Sequence, residues 1–217
     1  MRSLFLAFFV FLGLSSSLSA QRSTPDLSFG LKTSIGISLA SDEYSFAGEA
    51  FDQINHEIKF TGTNIAKSIG IFGQQKVGYL YGRAELSYAQ YTQNYRVRSF
   101  VAFGQGTEEL FEKFQFVDFQ LMGGVTHNGV RLGVGPVAHI LVGHTPALDF
   151  ISGYSDNNRP ITFGFTTAVG IDAGKFSIDF RYVNNFRTIG EHINYGARNS
   201  GYKAKPHMVN ITVGYSI

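Results

Sequence analysis

Residues Pro206 to Ile217 read PHMVNITVGYSI. Extended, this stretch puts Val209, Ile211, Val213, Tyr215 and Ile217 on one face and Met208, Asn210, Thr212, Gly214 and Ser216 on the other, because successive strand side chains point to opposite sides. One face is apolar and the other is small and polar. A soluble protein seldom leaves such a strand with a free edge, which invites mispairing. In a closed membrane barrel the last strand pairs with the first and no edge remains.

About seven further segments share this character. The candidate strands are Leu27–Leu39, Ser68–Gln74, Tyr79–Tyr95, Phe114–His127, Val130–Val142, Ile161–Asp172, Lys175–Thr188 and Met208–Ile217. Gln53–Phe60 either belongs with the second of these or forms a separate loop structure. The connections alternate in length. Ala40–Lys67, Arg96–Lys113, Gly143–Pro160 and Ile189–His207 are long and polar, whereas Gln75–Gly78, Asn128-Gly129 and Ala173-Gly174 are short. Outer-membrane barrels have short periplasmic turns and longer extracellular loops. With the amino terminus on the periplasmic side, every long connection falls outside and the carboxyl terminus returns to the periplasm. The fold expected is an all-β, eight-stranded antiparallel up-and-down transmembrane barrel.

Two tight turns set a register. Asn128-Gly129 suits a two-residue type I′ turn, which opposes His127 to Val130 and Val125 to Leu132. Ala173-Gly174, read the same way, opposes Ile171 to Phe176. Parity survives both turns, as one continuous sheet requires. The outer face then carries Phe29, Leu31, Ile35, Ile37, Leu80, Leu86, Tyr88, Val117, Phe119, Leu121, Leu132, Val134, Ile140, Phe163, Phe165, Val169, Ile171, Phe176, Ile178, Phe180 and Tyr182. None is charged. The inner face is rich in Gly, Ser and Thr, with Tyr79, Tyr81 and Tyr91 adding bulk. It sets Lys32, Arg83, Arg131 and Arg181 against Glu85, Asp118, Asp172 and Asp179. Eight strands enclose a space that side chains can just fill, so this balance predicts a salt-bridged plug.

The amino terminus supplies a route to the membrane. Arg2, the apolar run Leu4–Leu14 and the small residues Ser15–Ala20 have the form of a secretory signal peptide, too short for a spanning helix. Cleavage is expected after Ala20, leaving residues 21–217 as one barrel domain. The chain has no Cys, so disulfides, thiolate chemistry and cysteine metal sites are excluded. A net charge of +2 gives no global basic field to attract nucleic acid. No later segment approaches the length of a membrane helix.

Several stretches resemble the PorT-type outer-membrane β-barrel family of Gram-negative bacteria. Ala84–Tyr88 (AELSY) is similar to that family's P-E-L-x-Y strand, with Ala in place of Pro. Val117–Leu121 followed by Gly123-Gly124 resembles its fourth strand, and Arg131–Ala138 (RLGVGPVA) its Gly-Pro-containing strand. Gly170–Tyr182 (GIDAGKFSIDFRY) is similar to its sixth-to-seventh hairpin. The resemblance implies an eight-stranded barrel in the outer membrane and no shared catalytic residues. Some members take part in protein secretion across that membrane. The chain departs from a common terminal pattern by ending in Ile217 and not Phe.

Candidate chemistry is sparse. His139 faces Asp118 across one strand pair in the register above, and a neighbouring carboxylate favours the charged imidazole. Membership of the interior network is the plainer role for it. His56, His144, His192 and His207 lie in or beside the outer loops, and Ser152 or Ser200 would be the partners of a lipid-modifying enzyme, but no spacing singles one out. The histidines are dispersed and no carboxylate-rich calcium loop is present. Gly133-Val134-Gly135 lies inside a strand and precedes Pro136, unlike a nucleotide-binding loop. Asp42, Glu43, Glu49, Asp52 and Glu57, against Lys59 and Lys67, suit a solvated loop better than a partner or lipopolysaccharide contact.

The expected function is therefore that of a non-enzymatic outer-membrane barrel, an accessory of envelope structure or protein secretion acting through its loops and rim. No cofactor or metal is expected. Its expected partners are outer-membrane lipid and lipopolysaccharide, the barrel-insertion machinery through the last strand, and an envelope or secretion protein. A narrow channel for small solutes is the alternative, and a lipid-modifying enzyme ranks third.

Overall fold

A computed structural model describes residues 26–38, 45–49, 55–63, 65–101, 104–146, 154–186, 190–195, 198–200 and 207–217. The expected signal segment and Ser152 lie outside them. The strands are β1 (Asp26–Ser38), β2 (Ser45–Glu49), β3 (Asn55–Thr63), β4 (Ala66–Val77), β5 (Leu80–Val101), β6 (Gly104–His127), β7 (Val130–Thr145), β8 (Tyr154–Asn158), β9 (Ile161–Ala173), β10 (Phe176–Asn185), β11 (Gly190–Tyr195), β12 (Arg198–Ser200) and β13 (Met208–Ser216). Eight of them, β1, β4, β5, β6, β7, β9, β10 and β13, close into an antiparallel ring. Strand β13 meets β1 from Gly30↔Ser216 to Ser38↔Met208.

The pairing also fixes the shape of the wall. One circuit of partners from Asp26, through Lys76, Tyr81, Gly124, Gly133, Ala168, Arg181 and Asn210, returns to β1 ten residues further on, at Gly36. Set against eight strand spacings of about 4.7 Å, a rise of about 3.3 Å per residue gives a tilt of about 40°. That lies within the range of membrane barrels.

The three tight turns follow from residues that tolerate left-handed backbone. Asn128 and Gly129 both have positive φ, 49° and 82°, as a type I′ turn requires. His127 pairs with Val130 and Val125 with Leu132, the register expected. The other two turns have positive φ only at their first central residue, Gly78 or Gly174, the II′ arrangement. The last of them is Gly174-Lys175, because Ala173 pairs with Phe176 and Ile171 with Ile178. The expected turn at Ala173-Gly174 was therefore displaced by one residue, and the register by two. A shift of two preserves parity, so no side chain changes face.

The long connections are less loop-like than expected. Strands β5 and β6 continue as a paired hairpin to Val101↔Gly104, so Arg96–Lys113 is largely strand. Strand β3 runs along β5 directly above β4, and β2 lies on β3. Asn55–Phe60 thus extends the line of the second barrel strand, and Gln53 and Ile54 lie outside the described residues. Strands β8, β11 and β12 form a separate three-stranded sheet within the two other long connections.

The outward face matches the sequence reading. Phe29, Ile69, Ile171, Ile178 and Phe180 are 56–66% exposed. Val117, Phe119, Leu121, Phe165 and Tyr182 are half-buried against their neighbours, and the other expected outer residues are exposed. Phe176 and Tyr215 pack at the tight-turn end, with ring centroids 5.1 Å apart, and Phe165 and Phe186 at the opposite end, 5.7 Å apart. Tyr79 is a correction: it sits in a tight turn, 69% exposed, and adds nothing to the lumen.

Candidate functional site

Every inward strand position delivers its side chain to one narrow lumen, and Arg83, Glu85 and Arg131 are among the largest fully buried side chains. Small residues opposite make this packing feasible. A Cβ on Gly133 would fall 1.9 Å from the Tyr81 hydroxyl, and one on Gly30 would fall 2.6 Å from the Phe72 ring.

Two carboxylates organise the centre. Glu85 is held by the Arg181 guanidinium in a two-pronged contact, Nη1 to Oε2 at 2.6 Å and Nη2 to Oε1 at 2.8 Å. Lys32 donates to the same carboxylate, and Arg83 Nε lies 2.7 Å from Oε1. Asp179 receives Arg131 Nη2 at 2.7 Å and Arg181 Nη2 at 2.6 Å. Arg131 also donates to Gln74 Oε1 at 2.8 Å and places Nε 3.0 Å from Asp172, which accepts from Lys76 at 2.8 Å. The Arg83 guanidinium stacks 3.9 Å above the Phe72 ring. Fork-shaped contacts of this kind are the strong form of ion pairing. They also span the barrel, since Glu85 and Arg181 lie on strands that are not neighbours.

Nearer the long-connection end, His139 Nδ1 lies 2.7 Å from Asp118 Oδ1, and the Tyr91 hydroxyl donates to Oδ2 at 3.3 Å. Asp118 and His139 are direct cross-strand partners. At about the same level Ala66, Val137, Val183 and Met208 form an apolar collar, with Tyr91 against it; Val137 lies two residues nearer the tight-turn end than His139. Phe114 and Phe116 make a second apolar cluster. His144 stacks on Phe114 and lies 2.6 Å from Glu112.

All nine residues expected in the lumen network therefore face inward, but not as one set of four against four. Asp118 belongs to His139 and Tyr91, while Lys76 joins the main network through Asp172. Sequence reasoning also passed over Phe72, Gln74, Phe116, Gln120 and Met122, all buried inside. Their strand parity alone would have placed them there. Among the described residues no group of three or more His, Cys, Asp and Glu is arranged to hold a metal. His207 stacks on Tyr182 at the rim. The side chains of His56, His192 and Ser200 fall outside the described ones.

No family model matches this chain, and no curated protein matches it. Among solved structures, the translocator domain of the autotransporter NalP from Neisseria meningitidis aligns over 99% of this chain and 96% of its own length, at 13% identity and a TM-score of 0.37. The assignment as a closed β-barrel rests on the strand ring and its pairing.

Proposed function

We propose that the chain is an outer-membrane β-barrel without enzymatic activity or an open channel, serving envelope structure or protein secretion as an accessory. It would act through the sheet that β2, β3, β5 and β6 raise beyond the barrel rim. The apolar outer face supports the membrane setting. On β1 the apolar positions from Phe29 to Ile37, tilted at about 40°, cover roughly 20 Å along the barrel axis, most of the band of about 25 Å that lipid-facing barrels present. The resemblance to PorT-type barrels supports the secretion role, with outer-membrane lipid, lipopolysaccharide, the insertion machinery and one envelope protein as partners.

The observation that carries the closed reading is Glu85, gripped at once by Lys32, Arg83 and Arg181 in the middle of the lumen. Water and ions passing along the axis would have to break those contacts. The purified barrel in a planar bilayer at neutral pH should show little conductance. A steady, ion-selective pore would replace this reading with that of a narrow solute channel.

A further inference from the structure

A cavity of about 40 Å³ lies between the charged centre and the apolar collar. Lys32, Arg181 and Gln120 contribute to its wall, as do Asp118 and His139, with Val137, Val183 and Met208 on the collar side. Its volume is several times what one ordered water needs. Three of its wall residues are strongly buried yet incompletely bonded. Gln120, 7% exposed, uses its carbonyl to accept from Arg181 Nη1 at 3.5 Å, leaving its amide nitrogen without a partner. His139, 4% exposed, uses Nδ1 on Asp118 and leaves Nε2 without one. Arg181 Nε has none either. Buried polar groups in this condition call for a ligand or water.

Charge favours an anion. On the tight-turn side of the buried Glu112–His144 pair, the described lumen carries five cations, Lys32, Lys76, Arg83, Arg131 and Arg181, against four carboxylates, Glu85, Asp118, Asp172 and Asp179. It is net positive with His139 neutral, and more so with His139 charged. The one carboxylate on the cavity wall outside the central network, Asp118, is occupied by His139 and Tyr91. Excess charge buried in a water-poor interior is costly unless compensated. We propose that this cavity binds one small monovalent inorganic anion of halide size, held by the Gln120 amide and the adjoining Arg181 and Lys32.

Bromide tests this directly. Protein refolded and crystallised in sodium bromide, with data collected at the bromine absorption edge, should show an anomalous peak in the cavity beside Gln120. Crystals of Gln120→Leu should lack it. In solution, wild-type barrel refolded in sodium chloride should unfold at higher urea than barrel refolded in sodium gluconate of equal ionic strength, because a ligand bound only to the folded state stabilises it. Gln120→Leu should remove that difference. Wild-type crystals without a peak in the cavity, or equal wild-type urea midpoints in the two salts, would each overturn the proposal and leave the cavity to water; the wild-type measurements decide even if the variant fails to fold.

Discussion

Glu85 and Asp172 are both lumen carboxylates, yet their surroundings predict different sensitivity. The Glu85 side chain is fully buried and answers three cations, whereas that of Asp172 is 16% exposed near the tight-turn end and answers Arg131 and Lys76. Breaking a buried ion pair from one side leaves the remaining charges uncompensated, at a cost of about 3–5 kcal/mol. Glu85→Gln, nearly identical in volume, should therefore lose stability in that range. Asp172→Asn should lose clearly less, because water reaches its partners. Urea unfolding of the refolded barrels measures both, and equal losses would show that the centre of the lumen is wet. The Asp118–His139 contact was readable in advance, because Asn128-Gly129 admits one tight turn and that turn fixes which residues oppose. The division of labour among the carboxylates was not. It depends on side chains reaching across the barrel between strands distant in sequence, such as Arg181 to Glu85.

The strands were legible wherever one face meets an apolar surface. Periodicity of two appears because Ile69, Ile71, Leu86 and Ile178 must face outward while Gly70, Glu85 and Asp179 must not. Beyond the rim that constraint disappears. Arg96–Lys113 carries charges on successive positions, such as Glu108-Glu109, and reads as loop although it pairs as strand. The turn at Gly174-Lys175 was misplaced because Ala173-Gly174 and Gly174-Lys175 both offer a glycine, and only the II′ geometry requires it first. Two outcomes follow at this scale. Ile178→Arg, on the outward face, should cost about 2–4 kcal/mol if the position lies near the lipid midplane, measured by folding into bilayers. Wild-type behaviour would mean that this face does not meet lipid. Replacing residues 97–108 with Asn-Gly, which joins the paired Arg96 and Glu109 by a two-residue turn, should leave barrel folding intact on heat-modifiability gels. Loss of the folded band would show that the raised hairpin is part of the barrel's own stability.

At the scale of the whole molecule, the three tight turns share one end of the barrel and the raised sheet occupies the other. A tag between Val101 and Gly104 should be labelled on intact cells, while one at Asn128-Gly129 should not. The opposite result would invert the orientation. The strand order has a temporal consequence as well. Seven of the eight ring contacts join strands that follow one another around the barrel as they do along the chain, but β1 and β13 meet only after nearly the whole sequence is in place. The Ser34 hydroxyl, which pairs with Thr212 at 2.8 Å, bridges 178 positions of chain. Until that seam shuts, water reaches the lumen and Glu85 and Arg181 remain hydrated on separate walls. Their full contact is thus a late event, absent from any transition state that precedes closure. Interactions formed so late slow unfolding and hardly affect the folding rate. The ion cluster then acts as a latch, prolonging the lifetime of a barrel that other forces have already assembled.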